Sequence, residues 1–172
     1  MKNIVTPTEQ ELELPDDEFI SSKTNAKGIM TYANALFLKY SGYKESELLG
    51  QQHNIIRHPD MPRVIFKLMW DTLQSNREFN GYIKNLNKNG GYYWVFANIA
   101  PSFSSENELL GYYSIRRKPD SEKLNYIKNL YVDLLDIEQQ SSTKEAIDNS
   151  LYKLNTILNG REKGYDEFIL TI

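Results

Sequence analysis

The chain contains no cysteine. Disulfides, thiolate metal sites, iron–sulfur clusters, cysteine nucleophiles and any cofactor attached through cysteine are therefore excluded. Its two histidines, His53 and His58, are too few for a three-histidine zinc site. No apolar run approaches the roughly 18 residues that a membrane helix needs, so no direct membrane span is expected. The opening Met1-Lys2-Asn3-Ile4-Val5 lacks the long apolar stretch of a secretory signal, which makes a cytoplasmic location the default. Nor is there an excess of positive charge. Twenty Lys and Arg stand against 23 Asp and Glu, for a net charge of −3. The basic residues are scattered, and Arg116-Arg117-Lys118 is too short to be a patch, so nucleic acid is not expected as a partner.

What remains is an ordinary globular composition rich in tyrosine. Of 172 residues, 40% are hydrophobic and 12% aromatic, enough to bury a core without covalent staples. Phe19-Ile20-Ser21-Ser22 and Ile29-Met30-Thr31-Tyr32 read as two strands around an Asn25–Gly28 turn. A short helix follows from Ala33 to Tyr40, with Asn34 placed to cap it, and another turn of helix covers Glu45–Leu49. Residues 51–59 read as a loop. Ile65, Leu68, Met69, Thr72 and Leu73 recur at helical spacing, which predicts a helix over about 61–75 with Asp60 as its N-cap. Three strands then follow: Gly81–Leu86, Tyr92–Ala100 and Leu109–Arg117, the first two joined by the Asn87-Lys88-Asn89-Gly90-Gly91 turn. On the second of these, Tyr92, Trp94, Phe96, Asn98 and Ala100 share one face and Tyr93, Val95, Ala97 and Ile99 the other.

The order is two strands, three helices, three strands, with the strands in hairpins. That predicts an α+β domain with one five-stranded antiparallel sheet and helices on one face. It occupies residues 19–118. Residues 1–18 form an N-terminal cap, in which Leu12 and Leu14 are able to dock. Residues 119–172 form a C-terminal helical extension with helices over 121–137 and 143–158, the second opened by a Ser142–Glu145 capping box.

Several residues in this frame carry chemistry. The run Ile29-x-Thr31-Tyr32-x-Asn34-x-x-Phe37, then Ser41-Gly42-Tyr43 and Glu47-Leu48-x-Gly50, resembles a PAS sensor domain. The segment His53-Asn54-Ile55-Ile56-Arg57-His58-Pro59-Asp60-Met61-Pro62 is similar to that of bacterial aerotaxis (energy-taxis) receptors. Met69-Trp70, Lys84-Asn85, Lys88-Asn89-Gly90, Tyr93-Trp94-Val95 and Ala97-Asn98 continue the likeness. Phe79 departs from it, standing where many members carry tryptophan.

The resemblance implies non-covalent FAD and a redox sensor acting in chemotaxis. It places Asn34, Arg57, His58, Asp60, Trp70, Asn85, Trp94, Asn98 and Arg116 in or beside the flavin pocket. It further implies a soluble PAS protein that works with a separate transmembrane chemoreceptor of the methyl-accepting type and so meets the membrane through that partner. A homodimer is a further option. No catalysis is expected, since no nucleophile–base pair, metal cluster or P-loop is visible.

The side-chain chemistry suits that expectation. An amide donates from one end and accepts from the other, so Asn85 and Asn98 are able to match a flavin edge and re-pair when it is reduced. Arginine's fork suits phosphate or a ring carbonyl, and a helix start adds positive partial charge near Arg57 and His58. Plainer explanations stand beside each. Asn34 and Asp60 are complete as helix caps, Arg57 as a loop ion pair, and Trp70, Trp94 and Phe79 as core. Two other functions also fit the sequence: a haem gas sensor liganded by His58 or His53, and a cofactor-free PAS module that serves only in interactions.

Overall fold

The computed structural model describes residues 5–172, so the first four residues of the N-terminal cap lie outside the described residues. The first hairpin is β1 (Ile20–Asn25) and β2 (Met30–Ala33). Helix α1 (Ala35–Ser41) starts where expected, because Asn34 Oδ1 accepts the Phe37 N–H at 3.0 Å. The short α2 (Glu45–Leu48) and a 3-10 turn (His53–Ile56) lead to α3 (Arg63–Gln74).

Asp60 does not cap α3. Pro62 holds the cap position and makes no side-chain bond. The Asp60 carboxylate is instead drawn to Lys84 Nζ at 2.7 Å, and a distant residue, Glu138, takes the first amides of the helix.

Strands β3 (Phe79–Leu86), β4 (Tyr92–Phe103) and β5 (Leu109–Arg117) complete an antiparallel sheet of order β2-β1-β5-β4-β3. Alternation gives the sheet two faces. The inner face carries Ser22 and Thr24 on β1, Tyr112, Ser114 and Arg116 on β5, Val95, Ala97 and Ile99 on β4, and Ile83 and Asn85 on β3. Helices α1 and α3 cover it, sealing Phe37, Val64, Ile65 and Leu73 inside.

The N-terminal segment docks as expected. Leu14 is buried, Leu12 is partly buried, and residues 10–12 pair with Tyr92: Tyr92 N–H donates to Gln10 O at 2.9 Å and Leu12 N–H to Tyr92 O at 2.8 Å. That fills the side of β4 that β5 does not reach.

The extension forms three helices, α4 (Ser121–Gln140), α5 (Ala146–Gly160) and α6 (Tyr165–Thr171). Helix α6 was not expected; its seven residues are too few to show a helical repeat. Helix α5 begins later than its pattern suggests. The Ser142 hydroxyl meets the Glu145 carboxylate at 2.7 Å and does not cap the helix. Helices α4 and α6 cover the β3 side of the sheet, and α5 packs on α3 and α4. Tyr131 donates its hydroxyl to the Tyr82 carbonyl at 2.9 Å, and the Tyr165 ring stacks on Phe79 at 5.7 Å. An edge strand is thereby paired off from other chains.

One glycine sets the register that the inner face depends on. Gly111 pairs with Asn25 across β1 and β5 at φ 155°, and a Cβ there would sit 1.9 Å from the Thr24 carbonyl oxygen. Gly111→Ala is therefore expected to destabilise the fold by about 3 kcal/mol. Urea unfolding measures this, and a loss under about 1 kcal/mol would show that the strands yield at no cost.

Candidate functional site

Between the inner face of the sheet and α3 lies a cavity of about 230 Å³. The walls are mostly apolar. Ile56 and the α3 residues Phe66, Met69 and Leu73 face Ile83, Ala97 and Ile99 of the sheet. Trp70 and Tyr112 meet edge to face at 5.5 Å on the cavity wall, beside Gly28. A side chain at Gly28 would press on Trp70 at 3.3 Å, in a backbone of φ 76° that glycine tolerates best.

The polar groups gather on β1, β5, β3 and the 51–57 loop. Arg116 is buried on β5. Its Nη2 donates to Ser22 Oγ at 2.8 Å and lies 2.6 Å from His53 Nε2. The ring of Phe37 stacks on His53 at 5.7 Å and also lies under the guanidinium, 5.1 Å from its carbon. No carboxylate among the described residues forms an ion pair with Arg116. Burial lowers its pKa to about 10, with the Tyr93 hydroxyl acting in the opposite direction. His53 is pushed down to about 3, first by burial and then by Arg116, so it stays neutral.

Ser22 and His53, 3.4 Å apart, have the outline of a nucleophile–base pair. The guanidinium contacts both, and a histidine of pKa about 3 is too weak a base to activate a hydroxyl near neutrality.

Three buried polar atoms on residues that line the cavity have no hydrogen-bond partner among the described residues: Asn85 Nδ2, Ser114 Oγ and Arg116 Nη1. Unpaired buried donors cost about 1–3 kcal/mol each. On one mostly apolar cavity they mark places where a flat ligand's polar groups would be met, Asn85 toward one end of the sheet and Ser114 toward the other.

The loop that closes this space is stitched at both ends. His53 N–H donates to Gly28 O at 3.1 Å, and the backbone of Arg57 bridges to that of Asn85. The Arg57 guanidinium lies over Phe66 at 4.2 Å and donates to Met61 O at 3.1 Å. Gln52, Asn54 and Arg57 also line an open groove between the loop, the start of α3 and the end of α4. Burial lowers the pKa of Arg57, while Glu138 favours its charged form.

Of the nine residues singled out from sequence, Arg57, Trp70, Asn85 and Arg116 line the cavity. The other five lie elsewhere. Asn34 is occupied as a cap and joins α1 to β1, accepting from Ser21 N–H at 3.1 Å and donating to Phe19 O at 2.8 Å. His58 is buried behind the loop, where Nδ1 accepts the Asp60 N–H at 3.1 Å and the ring meets Tyr92 edge-on. Asp60 is on the surface with Lys84. Trp94 and Asn98 sit on the outer face of β4, because their parity opposes that of Ala97 and Ile99. Trp94 packs near Tyr131, and Asn98 pairs with Asn80 and Glu78. Asn98 is thus not placed to match a flavin edge beside Asn85, because it faces the other side of the sheet. Sequence reasoning missed Ser22, Gln52 and Ser114, and considered His53 only as a metal ligand. Strand parity was the usable signal: residues in phase with Arg116 include Ser114 and Tyr112.

Both histidines titrate abnormally. Burial, then Lys84, pushes His58 down to about 4. Folded values below the ordinary 6.5 mean that the unfolded chain binds more protons as pH falls below 6.5, so stability drops with pH. Their contribution is complete above about 6.5 and disappears on the way down to about 4 for His58 and 3 for His53. From pH 7 to 5, His53 alone is expected to withdraw about 2 kcal/mol of unfolding free energy. His53→Gln should flatten that slope in urea titrations at pH 7, 6 and 5. An unaltered slope would place His53 in a solvated environment.

Comparison with known proteins agrees with the architecture. The sequence profile of the PAS fold matches residues 30–116. The chain is 42% identical over 124 residues to the aerotaxis receptor of Escherichia coli (strain K12), covering 72% of this chain and 24% of the receptor. It is 33% identical over 96 residues to the nitrogen fixation regulatory protein of Klebsiella pneumoniae, covering 56% of this chain and 19% of that protein. The chain thus spans about a quarter or less of the length of these relatives. Two solved light-oxygen-voltage domains share the fold. One, studied with a flavin analogue, gives a TM-score of 0.56 at 22% identity, over 64% of this chain and 84% of its own. The other, from the blue-light photoreceptor Aureochrome1 in its light state, gives 0.56 at 16% identity, over 71% and 93%. With a sheet of this order, a helix-walled cavity on its inner face and a family match across half its length, the chain belongs to the PAS-fold family.

Proposed function

We propose that this protein is a sensor that binds FAD in the cavity and passes the flavin's redox state to a separate transmembrane chemoreceptor. The observation that carries the reading is that three donors without partners, Asn85 Nδ2, Ser114 Oγ and Arg116 Nη1, line one cavity whose walls are mostly apolar. The likeness to the aerotaxis receptor supports the sensory role. Flavin, when bound, supplies a ring that takes up electrons and gains negative charge or protons as it does so.

The residues of this chain fit such a group. A space of about 230 Å³ is below the roughly 300 Å³ at which sites for drug-sized ligands begin, so it suits a ring system and leaves a dinucleotide tail outside. Arg57, shared by cavity and groove, stands where a phosphate-bearing tail would pass and has the fork that phosphate favours. Phe66, Met69 and Leu73 exclude water from the ring. Asn85 orients its polar edge, while Ser114 meets the ring system further along the sheet. Arg116 is a fixed cation beside the ring system, and any charge gained there changes its contacts more than elsewhere.

The haem reading is less well supported by this geometry. His53 Nε2 is engaged by Arg116 and Ser22, and His58 does not line the cavity.

The visible absorption spectrum of the purified protein, before and after anaerobic dithionite, tests the proposal. A three-banded blue-region spectrum that bleaches is expected. A colourless protein that takes up no added FAD overturns it. Asn85→Ala is expected to weaken flavin binding about tenfold while the fold persists. Arg116→Met separates function from stability. The substitution removes a buried charge but also the partner of Ser22 Oγ and His53 Nε2, so urea unfolding of the variant is measured beside its flavin binding, which is expected to be lost. Undiminished binding in Arg116→Met would remove the guanidinium from the site.

A further inference from the structure

The C-terminal helices pack on α3, the cavity wall, and one buried carboxylate among them also takes the amides at its start. Glu138, near the end of α4, is only 7% exposed. Its Oε2 accepts the Arg63 N–H at 2.8 Å and its Oε1 the Val64 N–H at 2.9 Å. These are the first two amides of α3, which no carbonyl within the helix can satisfy. Helix α3 has no side-chain cap of its own, and the nearby candidate, Asp60, is turned to Lys84. The carboxylate meets two donors and the positive end of the helix at once.

From that end, α3 carries Phe66, Met69, Trp70 and Leu73 along the cavity. Arg57, which feels the same carboxylate, stands at the cavity's opening to the groove. Two further contacts hold the extension to the sheet: Tyr131 on the Tyr82 carbonyl, and Tyr165 on Phe79.

We propose that Glu138 is a positioning residue for the ligand site: through it the C-terminal extension fixes the α3 wall and thereby sets how tightly the cavity holds its ligand. The flavin arm of this inference rests on the function proposed above. The residue itself lies outside the stretch 30–116 that matches the family. Linkage makes the effect reciprocal. A ligand that steadies α3 steadies the docking of α4 by the same factor, so the extension registers whether the cavity is filled.

The test uses the full chain with Glu138→Ala and Glu138→Gln. The glutamine keeps one acceptor and the shape while losing the charge, and it decides the question if the alanine variant does not fold. Fluorescence titration with FAD is expected to show at least about fivefold weaker binding. Amide hydrogen exchange without ligand is expected to quicken along the whole of Arg63–Leu73, including the turns that face the cavity. Tyr152→Ala, on the exposed side of α5, is expected to change neither. Unaltered FAD affinity in a folded Glu138 variant of a flavin-binding chain overturns the proposal. So does faster exchange confined to Arg63 and Val64, or an equal effect from Tyr152→Ala. If the wild-type chain takes up no flavin, the flavin reading fails by itself, and the exchange pattern along α3 still decides for or against Glu138.

Discussion

A guanidinium buried without a carboxylate beside it gives up its hydration and regains only what hydroxyls, rings and a ligand can return. Arg116 is in that position, and the inner face is organised around it. Ser22 is held across the β1–β5 ladder, His53 is brought in by the loop, and Phe37 lies under the charge. His53 stays neutral, first because it is buried and then because the cation is already there. Such a centre is tolerable in an empty protein only because hydroxyl, imidazole and aromatic face each return part of the loss. It is best satisfied by an electron-rich edge, and that is a reason for the cavity to exist where it does. The arrangement also needs one register. A slip of one residue between β1 and β5 would turn Arg116 to the outer face and break every one of these contacts.

Around that fixed centre the remaining walls come from separate parts of the chain. The sheet gives Asn85 and Ser114, the loop gives Arg57, and α3 gives the apolar side. None of these parts is rigid alone. The loop is tied at Gly28 and at Asn85, while α3 is tied by a residue 75 positions away. The family-matched stretch therefore contains most of the cavity-lining groups, β1 and its turn add Ser22, Thr24 and Gly28, and the extension supplies a support for one wall.

The hairpins, the first helix with its Asn34 cap, the α3 periodicity and the five-stranded sheet were all legible in the sequence, since each is signalled by local pattern and turn chemistry. Four of the residues that line the cavity were legible as well, through family likeness. The face of β4 was not. Tyr92, Trp94 and Phe96 are as apolar as Tyr93, Val95 and Ala97, because the helical extension also buries much of the outer face near β3. Alternation then gives no contrast, and Asn98 and Trp94 were assigned to the wrong side. His58 and Asp60 follow Arg57 directly, but loop backbone turns successive side chains in different directions. Ser22 and Ser114 look like any strand serines; only the position of Arg116 gives them meaning. The cap of α3 was invisible for another reason: its donor and acceptor are 75 residues apart, and no local motif encodes such a pairing.

The pairing of residues 10–12 with Tyr92 has a consequence for the order in which the molecule can assemble. Residues 10–12 leave the ribosome before their partner strand, which is synthesised some 80 residues later. Ser22 likewise waits for Arg116, 94 residues further on. Early hairpins and helices can form as they emerge, but the sheet cannot be completed until most of the chain exists. Residues 10–12 therefore wait unpaired until β4 has emerged, and sheet closure is a late, collective step in the making of this domain.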